Sequence, residues 1–354
     1  MHPPVRVVSV PYPKAEVLRK LLHAEGVIDR THRITKQAGR VLIPLKRDPV
    51  VDLPTYGASL VDVGDLEPRP EPRDPVEALR ERLASLGVPW DAAPKKWERI
   101  GDVVVLRIPA AGRDHETEIA RAFAEVLRAE TVVEDVSGIH GVLRTPAVRV
   151  LRGSRTETVH VEGGVRYRLD VAQVMYSSGN LAERLSAAEL VRPGDVVVDL
   201  FAGIGYFALP IAVHSTGAAV HACELNPVSF RYLVDNIRLN RVTNLTPYLG
   251  DCQEVAPRGI ADVVILGHFS ARDYLDVAFE CLRGAGTVVF HDLVPREQFP
   301  GEPVRLLSEA ARAHWYDIES TRTRIVKSYA PGIMHAVVEA RVRRRPKGIS
   351  GGRP

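Results

Sequence analysis

The chain has 354 residues, 45% of them hydrophobic and 26% charged, with a net charge of +3. That length supports two or three cored domains, and so mild a basic excess permits a nucleic-acid partner without demanding one. The three cysteines, at 223, 252 and 281, form no CxxC pair and so argue against a disulfide framework or a zinc site; the N-terminus lacks a signal-peptide core and no apolar run nears the ~20 residues of a membrane span, so a cytoplasmic setting with reduced thiols and no metal is expected.

Residues 1–50 read as a small α+β module. "VRVVSVPYPKAEVLRKLLHAEGVID" predicts a strand, an amphipathic helix and a turn, and "RITKQAGRVLIPLKR" a strand pair. Residues 51–75, rich in Pro and acid, read as a linker. Residues 76–165 read as a middle α+β domain. In it "VEALRERLASLGV" and "HETEIARAFAEVLRAE" are helical by period and "IGDVVVLRIP" is a buried strand. "VRVLRGSRTETVHVEGGVRYRLDV" alternates like an antiparallel pair with a Gly-Gly turn. Over residues 166–343 the rhythm changes. The runs "DVVVDL", "AAVHACEL", "LTPYLGD", "ADVVILG" and "GTVVFHDL" alternate with helical segments such as "NPVSFRYLVDNIRLN". That βαβ series predicts an α/β domain with a mostly parallel sheet covered on both faces. Residues 344–354 read as a basic, Gly/Pro-rich tail without regular structure.

The stretch "VVDLFAGIGYFALP" is the first candidate site. Gly203 and Gly205 let the backbone approach a ligand at a strand's carboxyl end. The spacing Gly203-x-Gly205-x-x-Ala208 also satisfies the dinucleotide pattern G-x-G-x-x-G/A, so on its own it leaves a dinucleotide, another nucleoside or a plain tight turn open. The acids narrow the choice. Asp199, Glu224 and Asp251 close three successive strands. A carboxylate at the second strand end can accept both ribose hydroxyls, and one at the third an exocyclic adenine amine. Such a row repels a pyrophosphate and suits a nucleoside with a positive centre, such as the sulfonium of S-adenosylmethionine. Singly, each acid reads more readily as a helix cap or loop residue; three at successive strand ends weigh against that reading.

The segments "VMYSSGNLAERLSAAELVRPGDVVVDLFAGIGYFALPIA", "CELNPVSFRYLVDNIRLNRV", "LGDCQEVAPRGIADVVILG" and "VKSYAPGIMHAVVE" closely resemble the Trm5/TYW2 family of class I, Rossmann-like enzymes that act on position 37 of tRNA. The resemblance runs from about Gly138 to Glu339, with the first 130 residues matching more loosely. It implies S-adenosylmethionine as cofactor and the tRNA anticodon loop as partner. One branch of the family methylates N1 of guanosine 37 and carries an Asn-Pro-Pro or Asn-Leu-Pro turn after the fourth strand. The other transfers the 3-amino-3-carboxypropyl group to C7 of 4-demethylwyosine. Here the fourth strand ends in Gly267, His268 and Phe269, and "SSGN" at 177–180 looks like the second branch.

The resemblance also implies roles. Arg184 would clamp the cofactor's carboxylate in bidentate fashion, and Ser177 would add a hydrogen bond. Phe201, Gly203 and Gly205 would meet the methionine part, Glu224 the ribose, Asp251 the adenine amine and the Cys252 backbone adenine N1. Glu183 and Arg144 would be general base and supporting cation, or else simply a pair tying two domains together. Asn180 and His268 would face the acceptor base, His268 by stacking or donation; His291 reads as a polar loop residue. Cations at 46–48, 94–100, 322–329 and 341–347, near Trp97, Trp315 and Tyr329, fit an RNA surface. Guanosine-37 methylation, transfer to a different acceptor and tRNA binding without catalysis are the competing readings.

Overall fold

The computed structural model describes residues 4–64, 66–69, 74–140, 145–176 and 178–346. Arg144, Ser177 and the tail beyond 346 lie outside the described residues. Contacts divide the chain into two units, Met1–Ala78 and Leu79–Pro354.

In the first unit β1 (Val5–Pro11), α1 (Tyr12–Ala24), β2 (Thr35–Gln37), β3 (Arg40–Pro44) and β4 (Ser59–Val63) follow in chain order. The sheet order is β2-β3-β1-β4, antiparallel throughout. Helix α1 buries Leu18 and Leu22 against Val8, Val10 and Ile43. Strand β4 falls inside the stretch expected to be a linker. Its residues SLVDV pair along β1 from Ser9↔Ser59 to Val5↔Val63. The short alternation was hidden by the prolines around it.

The second unit starts within helix α2 (Pro75–Ser85). Strands β5 (Trp97–Ile100) and β6 (Val103–Leu106), helix α3 (Glu116–Leu127), and strands β7 (Thr131–His140) and β8 (Thr145–Arg152) form a four-stranded sheet, β5-β6-β7-β8. Strands β9 (Glu157–Glu162) and β10 (Val165–Asp170) make a separate antiparallel hairpin. The run read as one antiparallel pair therefore splits: its first strand, β8, joins β7 in the other sheet.

Then come α4 (Leu181–Glu189), β11 (Val196–Asp199), α5 (Ala208–His214), β12 (Ala219–Glu224), α6 (Pro227–Asn240), β13 (Leu245–Leu249), α7 (Cys252–Val255), β14 (Ala261–Leu266), α8 (Leu275–Cys281), β15 (Leu282–Pro295), α9 (Gly301–Ala313), β16 (Tyr316–Ala330) and β17 (Ile333–Arg344). The seven strands lie in the order β13-β12-β11-β14-β15-β17-β16. The first five are parallel; β17 and β16 run antiparallel at one side.

Alternate residues of the central strands enter two cores. Val197, Ile265 and Val289 pack with residues of α4, α5 and α6, while Val198, Val264 and Phe290 pack with residues of α8 and α9. Burial on both faces is why these strands read as unbroken apolar runs, each buried side chain contributing about 1.5–3 kcal/mol. Strand order reverses between β11 and β14, which opens a crevice at their carboxyl ends. Among the described residues no helix is long and apolar enough to cross a membrane.

Candidate active site

The crevice is a cavity of about 580 Å³, reaching from Asp251 and Cys252 after β13 to Lys327 and Tyr329 on β16. Eight of the residues singled out from sequence line it: Asn180, Arg184, Phe201, Gly203, Glu224, Asp251, Cys252 and His268. Asp199, Gly205 and Glu183 are not among the lining residues. Arg144 and Ser177 lie outside the described residues.

The glycine turn follows β11. Gly203 has φ +58° and Gly205 φ +104°, in the region that favours glycine. Packing requires the same residue. A Cβ at 203 would come within 2.6 Å of Cδ2 of Tyr206, and one at 205 within 2.5 Å of Leu209. The turn's Gly203 N–H donates to Glu224 Oε2 at 2.6 Å, and the Asn226 N–H to Oε1 at 2.7 Å. Glu224 is therefore oriented by backbone on both oxygens, with burial raising its pKa and these bonds pulling against that rise. Asp199 is fully buried. Its Oδ1 accepts the Phe201 N–H at 3.2 Å and its Oδ2 has no hydrogen-bond partner among the described residues. Burial pushes its pKa up to about 7. Asp199, expected to meet a ligand, is not among the residues that line the cavity; its carboxyl is buried and accepts from the turn.

Asp251 caps α7, its Oδ1 accepting from the Gln253 N–H at 2.9 Å, and it lines the cavity as well. Capping and ligand reading are compatible, since a carboxylate offers several lone-pair sites. Cys252 is buried and its thiol pKa is pushed up to about 12 by desolvation, so it is chemically quiet.

Past β14, Gly267 leaves room for the Phe207 ring; a Cβ there would sit 2.6 Å from it. His268 stacks on Phe201 at 5.3 Å and 24°, and Tyr274 meets Phe201 edge-on. The Ser270 N–H donates to His268 Nδ1 at 3.1 Å, which leaves Nε2 to carry the proton of the neutral ring.

Helix α4 carries two neighbouring charges with different partners. Arg184 is 2% exposed and pairs with Glu162, a residue the sequence reading did not single out. Its Nη1 also donates to the Tyr176 hydroxyl at 2.9 Å, and the rings of Tyr176 and Tyr206 flank it at 4.7 and 5.4 Å. Glu183 is held by Arg324, through Nε at 3.0 Å and Nη2 at 2.6 Å, and Arg324 also pairs with Glu339. Arg144, the expected partner of Glu183, lies outside the described residues; among those described, Arg324 on the edge strand engages Glu183. His291, read as a loop residue, lies in β15 and is 2% exposed. Its Nδ1 meets His335 Nε2 at 3.0 Å, and burial keeps its pKa well below the usual value. None of these pairs has a local sequence signal, since each joins elements far apart in the chain.

Of the aromatics placed near cations, Trp97 packs edge-on against Phe123, whereas Trp315 and Tyr329 are 69% and 54% exposed. Among the described residues no group of three His, Cys, Asp or Glu side chains is placed to hold a metal.

The donor set suits a cationic nucleoside. Glu224 and Asp251 put carboxylates in the wall, Asn180 Oδ1 is buried without a partner among the described residues, and the glycine cradle would be filled by any Cβ.

Residues 158–319 match the TRM5/TYW2 methyltransferase domain, residues 79–156 the TYW2 N-terminal domain and residues 8–52 the tRNA methyltransferase 5 N-terminal domain. A Pyrococcus horikoshii protein described as tRNA(Phe) (4-demethylwyosine(37)-C(7)) aminocarboxypropyltransferase is 38% identical over 251 residues, 70% of this chain and 90% of that protein. The Pyrococcus abyssi tRNA (guanine(37)-N(1))-methyltransferase Trm5b is 30% identical over 337 residues, 95% of this chain and 98% of that protein. The crystal structure of Pyrococcus horikoshii TYW2 in complex with MeSAdo superposes with a TM-score of 0.68 at 35% identity, covering 76% of this chain and all of that one.

Proposed function

Because the chain belongs to the TRM5/TYW2 family, we propose that it transfers the 3-amino-3-carboxypropyl group of S-adenosylmethionine to C7 of 4-demethylwyosine at position 37 of tRNA(Phe), as a step of wybutosine-type tRNA modification. The observation that carries this reading is the 38% identity over 90% of an aminocarboxypropyltransferase. The absence of the Asn-Pro turn at Gly267 agrees with it, since the Phe207 ring occupies the space a side chain there would need.

When bound, S-adenosylmethionine would supply a sulfonium whose methionine Cγ is open to the electron pair of the base carbon, with the Cγ–S pair going to methylthioadenosine as leaving group and the C7 proton to water. Glu224, fixed by two backbone N–H groups, is the ribose acceptor. Asp251 accepts from the adenine amine, and the Cys252 backbone completes that edge. Phe201, Gly203 and Gly205 shape the wall against the methionine portion. Arg184 grips the carboxylate of the amino-acid arm, to which Ser177 is assigned a further hydrogen bond. The arm's direction decides which carbon is presented, because only a carbon held in line with the nucleophile reacts. Asn180 and His268 face the acceptor, His268 through its Nε2–H. Glu183 acts as a support, since Arg324 engages its carboxylate and it does not line the cavity. Lys327 and Tyr329 mark the RNA side of the opening, and the exposed cations along β16 and β17 meet phosphates.

The test is incubation with tRNA carrying 4-demethylwyosine and cofactor labelled in the carboxypropyl chain, followed by nucleoside mass spectrometry. Label in the nucleoside together with methylthioadenosine is the expected result. Methylated guanosine with S-adenosylhomocysteine would instead support the second reading, N1-methylation of guanosine 37, which the near full-length match to the Pyrococcus abyssi methyltransferase favours.

A further inference from the structure

Arg184 does not stand alone at the cavity wall. Its partner Glu162 is the last residue of β9 and is followed by Gly163 at φ +57° and Gly164 at φ +81°, a two-residue hairpin turn with both φ values positive. This turn is fixed against the helix that carries Arg184. A Cβ at Gly163 would meet Leu185 at 3.1 Å and Leu181 at 3.4 Å, and the Gly163 carbonyl lies 2.8 Å from His214 Nε2. The hairpin thus delivers one carboxylate to one guanidinium. In that pair the Arg184 and Glu162 side chains are 3% and 8% exposed. The Tyr176 hydroxyl closes the group, donating to Glu162 Oε2 at 2.7 Å while accepting from Arg184 Nη1. Tyr206, whose ring also flanks the guanidinium, is tethered in turn by its hydroxyl to the Met175 carbonyl.

A buried cation needs a partner, but any acid would neutralise it. What this arrangement adds is orientation. Arg184 lines the cavity and Glu162 does not, so the carboxylate that holds the guanidinium stands outside the space a ligand can enter. A planar fork grips a second carboxylate well only when its plane and reach are set beforehand.

We infer that Glu162 is the positioning residue of the carboxylate clamp, fixing the Arg184 guanidinium in the orientation that directs the amino-acid arm of the cofactor and so selects which carbon is transferred. This rests on the reading of Arg184 given above.

The test compares two ligands by titration calorimetry on the full chain: S-adenosylmethionine and methylthioadenosine, which lacks the amino-acid arm. Glu162→Gln weakens S-adenosylmethionine binding about tenfold to a hundredfold, the weight of one charge-assisted hydrogen bond, and leaves methylthioadenosine binding as it was. Tyr176→Phe, which removes only the bridging hydroxyl, shifts the same ratio in the same direction by less. In turnover, methylthioadenosine formation by Glu162→Gln falls about 10²-fold, while S-adenosylhomocysteine rises as a share of by-product. Equal losses for both ligands, or no change in their ratio, overturn the inference, since a merely structural acid would move both or neither. Arg184→Ala separates the two levels of the argument. If it leaves the ratio untouched, the clamp itself is wrong; if it lowers the ratio and Glu162→Gln does not, only the role of Glu162 falls.

Discussion

Replacing Gly203 by alanine tests the turn at its tightest point. At φ +58° an L-residue costs about 1–2 kcal/mol more than glycine. The new methyl would also stand 2.6 Å from Cδ2 of the Tyr206 ring, and overpacking of that kind costs about 1–3 kcal/mol. Tyr206 has little freedom to retreat, because its hydroxyl is bonded to the Met175 carbonyl and its ring lies against Arg184. Together the two effects give a loss of about 2–5 kcal/mol, a large part of a typical stability of about 5–15 kcal/mol. Urea unfolding followed by tryptophan fluorescence reads the correct unit, since Trp90, Trp97 and Trp315 all lie beyond residue 78. With a slope of about 3 kcal/mol per molar, the midpoint falls by roughly 1 M. Methylthioadenosine affinity falls too, because the Gly203 N–H is one of the two bonds that orient Glu224. A variant with the midpoint and affinity of the parent would refute the argument that this turn is sterically closed.

Three further outcomes follow from the same geometry. Asp199 has its pKa raised from 3.8 to about 7 by burial, so the folded chain holds that proton more tightly than the unfolded one; its contribution is full at low pH and is lost as pH rises from about 4 through about 7. Asp199→Asn removes that loss, and its stability relative to the parent grows across the window by an amount on the order of 4 kcal/mol in pH-dependent denaturation; a constant difference would contradict a buried carboxyl with a raised pKa. Arg324→Ala leaves Glu183 and Glu339 buried side by side and costs about 3–5 kcal/mol in chemical unfolding, with Arg324→Lys restoring only part because an ammonium lacks the planar fork. Cys223, Cys252 and Cys281 are buried, with thiol pKa values pushed up to about 12 at Cys252 and about 11 at Cys281, so none reacts with a thiol reagent at neutral pH until denaturant is added; fast labelling of the native chain would refute this.

Features written into a few neighbouring residues were legible in the sequence. The strand ends at Glu224 and Asp251, the glycine turn and the alternation of strand and helix all follow from local pattern, and the structure brings them to one cavity. Asp199 obeyed the pattern yet lies off that cavity, because spacing places a residue at a strand end without saying which way its side chain turns. The long pair β16 and β17 was harder, since edge strands alternate only loosely and carry bulges, here after Ile318, Ile325 and Ser328. Partnerships across the fold were not legible at all. Arg184 and Glu162 are 22 residues apart, Glu183 and Arg324 are 141, and His291 and His335 are 44. No period or motif links such positions; they meet only once the sheet order exists.

Two adjacent residues of α4 are moored in different directions. Arg184 is tied to the β9 hairpin, and Glu183 to Arg324 on the outermost strand of the large sheet. That same strand carries Lys327 and Tyr329 at the mouth of the cavity. If Arg184 aims the donor as proposed, a load placed on that rim by a docking polynucleotide would reach, through the Arg324 guanidinium, the residue next to it. On that reading the helix would serve as a crossbar between entrance and grip, tied at Glu183 to one and at Arg184 to the other.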